Sequence, residues 1–310
     1  MARDAVWAVV TVFRPELSLV AALGAIQDQV DGVVVVDDGS GPLYDEAMEA
    51  AAHNGAVIVR LSTNSGIAAA LNRGIRAALD AGADAVVTFD QDSMIGDRFV
   101  DRLLHARDGA RAQGLIVGPV VPEYFATVRQ AHRRDGKGVL RARGIIQSGM
   151  LLDRETIERV GGMFEPLFID LVDTEYELRC LERGLAAVAA EGLRLDHRLG
   201  ARYARRGRFW LPGVPHVMTL SDPFRYFYRA RNRTLIDRRY LLRQTPRILR
   251  DSAIDAVYFA VVWAIARPRR SMWILLRAGR RAGRRGSGGR IPADLESIAA
   301  AITWAADRID

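Results

Sequence analysis

The chain has 310 residues, 49% of them apolar, which is enough to bury one sizeable core and an appended element and too apolar for a disordered chain. The net charge is +7, Lys137 is the only lysine, and arginines crowd residues 267–290 while the N-terminal two thirds are nearly balanced, so the positive excess belongs to one surface. A single cysteine, Cys180, excludes an internal disulfide framework and a thiolate zinc cluster, and it fits a reducing cytoplasm.

Residues 6–12 form a β-branched apolar run that reads as a first buried strand rather than a secretory signal, because Asp4 precedes it and no small-residue cleavage site follows. Helical periodicity over 15–27 and a second continuous apolar run over 32–36, ending at Asp37-Asp38-Gly39-Ser40, complete a βαβ unit. The alternation continues with a helix over 44–53, a strand over 56–61, a helix over 67–81 and a strand over 85–89. Continuous apolar strands imply an α/β fold with a single, mostly parallel, Rossmann-like sheet covered by helices on both faces.

Beyond it we expect a helix over 101–113, a strand over 115–118, a polar segment reaching Arg143, and an apolar piece over 145–152. A short helix over 156–160, a helix over 175–183 capped by Gly184, and an apolar stretch over 185–190 follow. Past His197 the arginine-rich, aromatic composition predicts a mainly helical extension, which divides the chain into a catalytic domain over 1–205 and an extension over 206–310. Within the extension, 283–289 reads as a Gly/Arg/Ser linker and 292–309 as a short amphipathic helix. The apolar run 253–266 contains Asp255 and falls short of the roughly 20 residues that span a bilayer, so no transmembrane helix is expected.

Ligands of open α/β sheets bind beyond the carboxyl ends of the strands, where both Asp37-Asp38 and Asp90-Gln91-Asp92 fall. Two carboxylates one residue apart supply hard oxygen ligands for Mg²⁺ or Mn²⁺ and leave coordination positions for phosphate oxygens. Alone, Asp-x-Asp is a weak signal that more often marks a solvated turn. A second acidic cluster, Asp170, Asp173 and Glu175, opens a helix; the helix dipole accounts for Asp173 and Glu175 but not for Asp170 in its apolar setting. His197 follows a predicted strand, where a neutral imidazole suits either a metal or plain packing.

Taken in order, Val35-Val36-Asp37-Asp38-Gly39-Ser40, Asn64-Ser65-Gly66 through Gly74, Phe89-Asp90-Gln91-Asp92-Ser93, Gln147-Ser148-Gly149, Gly161-Gly162-Met163-Phe164, residues 168–175, His197 and residues 225–232 resemble family 2 inverting glycosyltransferases of the GT-A fold, above all bacterial rhamnosyltransferases. The resemblance covers about residues 6–232.

It implies a nucleotide-sugar donor, dTDP-rhamnose or a UDP-sugar, and a glycan or polyprenyl-linked acceptor. It further implies that Asp38, with Thr11 and Phe13, holds the pyrimidine base, that Asn64 and Gly66 sit by the nucleotide, and that Asp90 contacts the ribose or a metal-bound water. Asp92 and His197 would hold Mg²⁺ or Mn²⁺, and Asp173 would be the catalytic base. The family often has a glutamate just before this aspartate. Val172 stands there, which leaves Asp170 as second choice and Glu175 behind it. Gly149, Gly162 and Phe164 are expected on the acceptor side, and Arg229 and Arg231 near the diphosphate, although turn glycines, a core aromatic and an exposed charged helix face fit them as well.

Aromatics interleaved with arginines over 253–285 describe a helix pair resting either on an anionic membrane surface, at the inner face of the cell membrane, or on a second copy of the chain. The different-class rival is a non-catalytic protein that binds membrane or nucleic acid through this tail, and it leaves the acidic clusters unexplained. We expect no nucleic-acid partner. A dinucleotide oxidoreductase lacks its Gly-x-Gly-x-x-Gly after the first strand, and a nucleotidyltransferase lacks a glycine-rich phosphate loop there. A processive polysaccharide synthase would need spanning helices.

Overall fold

The computed structural model describes residues 3–197, 200–205 and 216–309. It divides into two compact units, Met1–Glu165 with Val172–Arg198, and Pro166–Leu171 with Leu199–Asp310. The expected boundary between residues 205 and 206 abuts 206–215, outside the described residues.

The first unit begins with β1 (Val6–Val12), α1 (Leu19–Gln27), β2 (Gly32–Asp37), α2 (Asp45–His53), β3 (Val57–Arg60), α3 (Ile67–Asp80), β4 (Ala85–Asp90) and α4 (Phe99–Ala112). There follow β5 (Val117–Phe125), β6 (Val128–Arg129), β7 (Ala131–Arg134), β8 (Leu140–Ala142), β9 (Met150–Asp153), α5 (Arg154–Val160), α6 (Val172–Glu182) and β10 (Ala186–Leu195). The strands join in one ten-stranded sheet of order β3-β2-β1-β4-β9-β5-β10-β8-β7, with β6 paired to β5. β3, β2, β1 and β4 are all parallel, as are β5 and β10, while β9 enters antiparallel between β4 and β5.

The parallel half is covered closely. α3 lies so near the sheet that a Cβ at Gly74 would overlap the side chains of Val9 and Val36. Cys180 is buried in α6 and its thiol is pushed up to about 12 by that burial, which removes it as a nucleophile.

Two expectations need correction here. The strand expected over 115–118 runs on to Phe125, through Pro119 and Pro122, which a sequence reading treats as breakers. The polar segment reaching Arg143 is not irregular throughout, because β6, β7 and β8 lie within it, each too short to show an alternating pattern.

The second unit holds β11 (Arg202–Arg205), β12 (Val217–Thr219), α7 (Arg225–Tyr240), α8 (Thr245–Ile265), β13 (Ala266–Arg267), α9 (Arg269–Arg285), α10 (Ala293–Ala300), β14 (Thr303–Trp304) and β15 (Ala306–Arg308). It is mainly helical, with two small antiparallel sheets, β12-β11-β15 and β13-β14. Its core gathers Tyr226, Phe227, Tyr228, Val262, Met272 and Leu275.

Residues 292–309 are therefore not one helix: α10 ends at Ala300, and Thr303 and Trp304, residues that favour strands, pair with β13. The linker expected over 283–289 also begins later, since α9 continues to Arg285 and Gly286 closes it in the left-handed conformation at φ 76°. The glycines inside α9 serve packing. A Cβ at Gly279 would overlap the Phe227 carbonyl oxygen, and one at Gly283 would lie 2.5 Å from the Arg231 carbonyl oxygen, so the backbones of α7 and α9 touch there.

Helix propensity alone predicts that Gly279→Ala stabilises by about 1 kcal/mol. The overlap with backbone that cannot retreat reverses the sign, and we expect a loss of about 1–3 kcal/mol, read as a lower midpoint in urea. No described helix is long and apolar enough to cross a membrane.

Candidate active site

The site is built where the sheet changes direction. β1 lies between β2 and β4, with Val12 beside Asp37 and Thr11 beside both Val36 and Asp90. From β1 the chain crosses through α1 to β2 on one side, and from β3 it returns through α3 to β4 on the other, so the strand order reverses between β1 and β4 and a crevice opens at this carboxyl edge. Thr11, Phe13, Asp38, Asn64, Gly66 and Asp90 are all brought to it.

Asp38 is buried, and its carboxylate accepts from the backbone N–H of Ser65 at 2.7 Å and of Gly66 at 2.8 Å. Burial raises its pKa, those two bonds oppose the rise, and the neighbouring Asp37 charge adds to it. The bonds fix residues 64–66 against the end of β2. Asn64 Oδ1 is buried there with no hydrogen-bond partner among the described residues. The Phe13 N–H donates to Gln91 Oε1 at 2.9 Å and the Arg14 N–H to Ser40 Oγ at 2.7 Å, so the loop after β1 is tied to both acidic segments.

Asp90, Asp92 and His197 each offer a ligand atom, all within 4.8 Å of one another. His197 arrives from the end of β10, where the Met94 N–H donates to the Asp196 carbonyl at 3.3 Å, and its ring packs on Phe125 at 4.7 Å between centroids. His197 Nδ1 is 3.4 Å from Asp92 Oδ1, too long for a good hydrogen bond, and it is buried with no hydrogen-bond partner among the described residues.

A buried imidazole nitrogen within 4.8 Å of two carboxylates fits a hard divalent cation of the Mg²⁺ or Mn²⁺ kind, which takes oxygen ligands and tolerates an imidazole. A cleft of about 950 Å³ adjoins the trio, with Arg14, Gln91, Asp92, Met94, Arg194 and His197 on its walls.

Asp90 has support that the sequence did not announce. Gln147 Nε2 donates to Asp90 Oδ1, and the Asp90 N–H faces the hydroxyls of Ser93 at 3.1 Å and Ser148 at 3.2 Å. Gln147 Oε1 is buried with no hydrogen-bond partner among the described residues. Gly149, expected on the acceptor side, sits in the same turn; its N–H donates to the Thr88 carbonyl at 2.7 Å, and a Cβ there would lie 2.8 Å from Leu195.

The second acidic cluster separates its three carboxylates. Glu175 is 1% exposed and pairs with Arg179 at 2.7 Å, whose guanidinium also donates to the carbonyls of Val160 and Gly162. Asp173 is half-buried in the first turn of α6, where its Oδ1 accepts from the Thr174 N–H at 2.7 Å. Asn72 holds the turn before it by two bonds to Met163, of 2.6 and 3.0 Å, and a Cβ at Gly162 would lie 2.5 Å from Asn72 Oδ1. Phe164 follows, half-buried.

In the second unit Asp170 forms a two-pronged ion pair with Arg225, at 3.1 and 2.7 Å. Phe168, Asp170 and Leu171 are all left-handed, at φ 62°, 68° and 62°, a conformation that costs non-glycine residues about 1 kcal/mol or more each. The strained segment is held by α7. Asn232 Nδ2 reaches the carbonyls of Leu167, Ile169 and Asp170 at 2.7–2.9 Å, and Arg231 donates to those of Pro166 and Leu167 at 3.1 and 2.8 Å.

Arg231 is 1% exposed, lies against the rings of Tyr228 and Phe227, and is lowered to about 10 by burial. Arg229 lies 3.6 Å from Asp255 and over the Tyr258 ring. Both arginines are thus engaged inside their own unit. Asn72, Gln147, Arg225 and Asn232 are the supporting residues whose roles sequence reasoning missed, since each acts through a partner 50 or more residues away.

Residues 7–162 match the family model for glycosyl transferase family 2. A dTDP-rhamnosyl transferase, RfbF of Shigella flexneri, is 31% identical over 249 residues, which are 76% of this chain and 80% of that protein. A crystal structure of GalNAc-T7 with UDP, GalNAc and Mn²⁺ superposes with a TM-score of 0.50 at 13% identity, over 63% of this chain and 44% of that one, and shows the shared fold.

The α/β sheet with its acidic edge is the GT-A arrangement, and the protein is a glycosyltransferase. It belongs to glycosyl transferase family 2.

Proposed function

We propose that the protein transfers L-rhamnose from dTDP-rhamnose, with inversion, to a hydroxyl of a glycan or polyprenyl-linked acceptor. The observation that carries the metal-dependent part is the convergence of Asp90, Asp92 and His197, whose buried Nδ1 has no hydrogen-bond partner among the described residues, at the sheet's switch point. The donor identity rests on the 31% identical rhamnosyl transferase.

In this reading Thr11, Phe13 and Asp38 bind the pyrimidine nucleotide, with Asn64 and the N–H groups at the start of α3 beside it. Asp92 and His197 hold Mg²⁺ or Mn²⁺, and Gln147 orients Asp90 toward the ribose or the metal's water. When bound, the cation supplies positive charge against the departing diphosphate.

Asp173 takes the proton of the acceptor hydroxyl while that oxygen forms its bond to the anomeric carbon. The bond from carbon to the diphosphate oxygen breaks on the opposite face, its electron pair leaving with the diphosphate. One displacement inverts the centre, and no enzyme nucleophile is required. Support for Asp173 comes from its place in the first turn of α6, half-buried, at the position to which the family resemblance gives the base.

The test is a donor screen by thermal shift and slow hydrolysis, with dTDP-rhamnose and UDP-sugars, each with and without Mn²⁺. We expect dTDP-rhamnose to stabilise the protein and to hydrolyse only with the metal. Hydrolysis of a UDP-sugar in its place would reassign the donor, and no response to any donor would remove the reading.

A further inference from the structure

α8 and α9 present a face that neither the fold nor the active site uses. On α9 the buried side is Met272, Leu275, Leu276, Gly279 and Gly283, and the helix contains no acidic residue. All seven of its arginines are exposed. Arg277, Arg280, Arg281 and Arg284 line a groove of about 570 Å³ whose floor and other wall are Phe259, Ala260, Trp263 and Trp273.

Guanidinium groups lie over these rings, Arg277 at 4.9 Å from the Trp273 centroid, Arg269 at 5.6 Å from Trp263 and Arg280 at 5.9 Å from Phe259. On α8 the outward side is apolar: Leu249 is 57% exposed, Ile254 53%, Val257 59% and Trp263 40%. The two acids of α8 are taken, Asp255 by Arg233 and Arg229, and Asp251 by Arg247 and Arg250.

We propose that this face rests on a bilayer containing anionic phospholipid, with the α8 aliphatics and both tryptophans entering the boundary between headgroups and acyl chains and the α9 arginines at the level of the phosphates. Three occupants compete, and charge and polarity choose among them. A second copy across a two-fold axis would set the arginine row against itself, with no acid on the face to pair it. A nucleic acid would satisfy the arginines and leave Ile254, Val257 and Trp263 in water. An anionic bilayer satisfies both sides at once, because a guanidinium matches phosphate with two donors and its stem can lie along apolar surface. This inference stands independently of the donor and of the catalytic residues.

The experiment is flotation of the full-length protein with vesicles of phosphatidylglycerol mixed with phosphatidylcholine, and with phosphatidylcholine alone. Binding to the anionic vesicles only, weakened by salt and accompanied by a blue shift of tryptophan fluorescence, is expected. Each arginine at such a surface multiplies binding by about fivefold, so the triple change Arg277→Glu, Arg281→Glu and Arg284→Glu should reduce it by two orders of magnitude or more. Trp263→Ala with Trp273→Ala should weaken it and abolish the blue shift.

Both variants should keep the wild-type melting temperature and donor hydrolysis. Equal binding to both vesicle types would overturn the proposal. So would wild-type vesicle binding by the folded triple variant, tighter binding to a DNA duplex than to anionic vesicles, or a wild-type dimer that the triple change dissociates.

Discussion

Asp173→Asn should lower sugar transfer about 10²–10⁴-fold, the range that a positioned general base supplies, while nucleotide and Mn²⁺ affinities stay near wild type. The asparagine keeps the shape and an oxygen to accept the Thr174 N–H, so the first turn of α6 stays formed and the melting temperature hardly moves. The neighbouring acids should respond differently. Glu175→Gln leaves the buried Arg179 without its ion partner, and Asp170→Asn does the same to Arg225 beside the strained residues 168–171. Removing one member of a buried pair costs about 3–5 kcal/mol, so Glu175→Gln should show first as lower thermal stability. Near-wild-type transfer by Asp173→Asn, together with a silent but folded Asp170→Asn, would move the base to Asp170.

Asp92→Asn and His197→Ala should each weaken Mn²⁺ binding at least tenfold, measured by the electron paramagnetic resonance signal of free Mn²⁺ in the presence of dTDP. Each removes one of the two direct protein ligands in the proposed set, and Asp90 is the third member of the group that the described residues bring together. Gln147→Ala should act through Asp90, which loses the amide that orients it, and changes of this kind in metal sites typically cost about 10–100-fold. If all three variants bind Mn²⁺ as wild type does, the trio is only an acidic turn with a packed histidine.

The parallel half of the sheet was legible because its strands are continuous β-branched runs, each ending in the acids or turn residues that mark the carboxyl edge. The strand ends put Asp38 and Asp92 at the carboxyl edge, and the family resemblance added His197 to them. What lay hidden was mostly long-range. Pro119 and Pro122 concealed β5 by looking like breakers, and strands of two to four residues carry no period to read.

Gly279 and Gly283 resemble linker glycines until α7 is placed against them. Arg231 and Asn232 resemble a polar helix face, yet both are buried and hold a left-handed segment more than 60 residues earlier in the chain. The sequence ranks the carboxylates after Phe168 only through the family resemblance, and it does not show that Glu175 pairs with Arg179 and Asp170 with Arg225.

In the proposed reaction a nucleotide diphosphate and a divalent cation meet at Asp92 and His197. The most direct test is a Mn²⁺ titration of the wild-type protein with and without dTDP. The predicted result is one Mn²⁺ per chain, bound more tightly when dTDP is present and lost in Asp92→Asn. A protein that binds dTDP equally well with and without Mn²⁺, and holds no Mn²⁺ in either case, would contradict it.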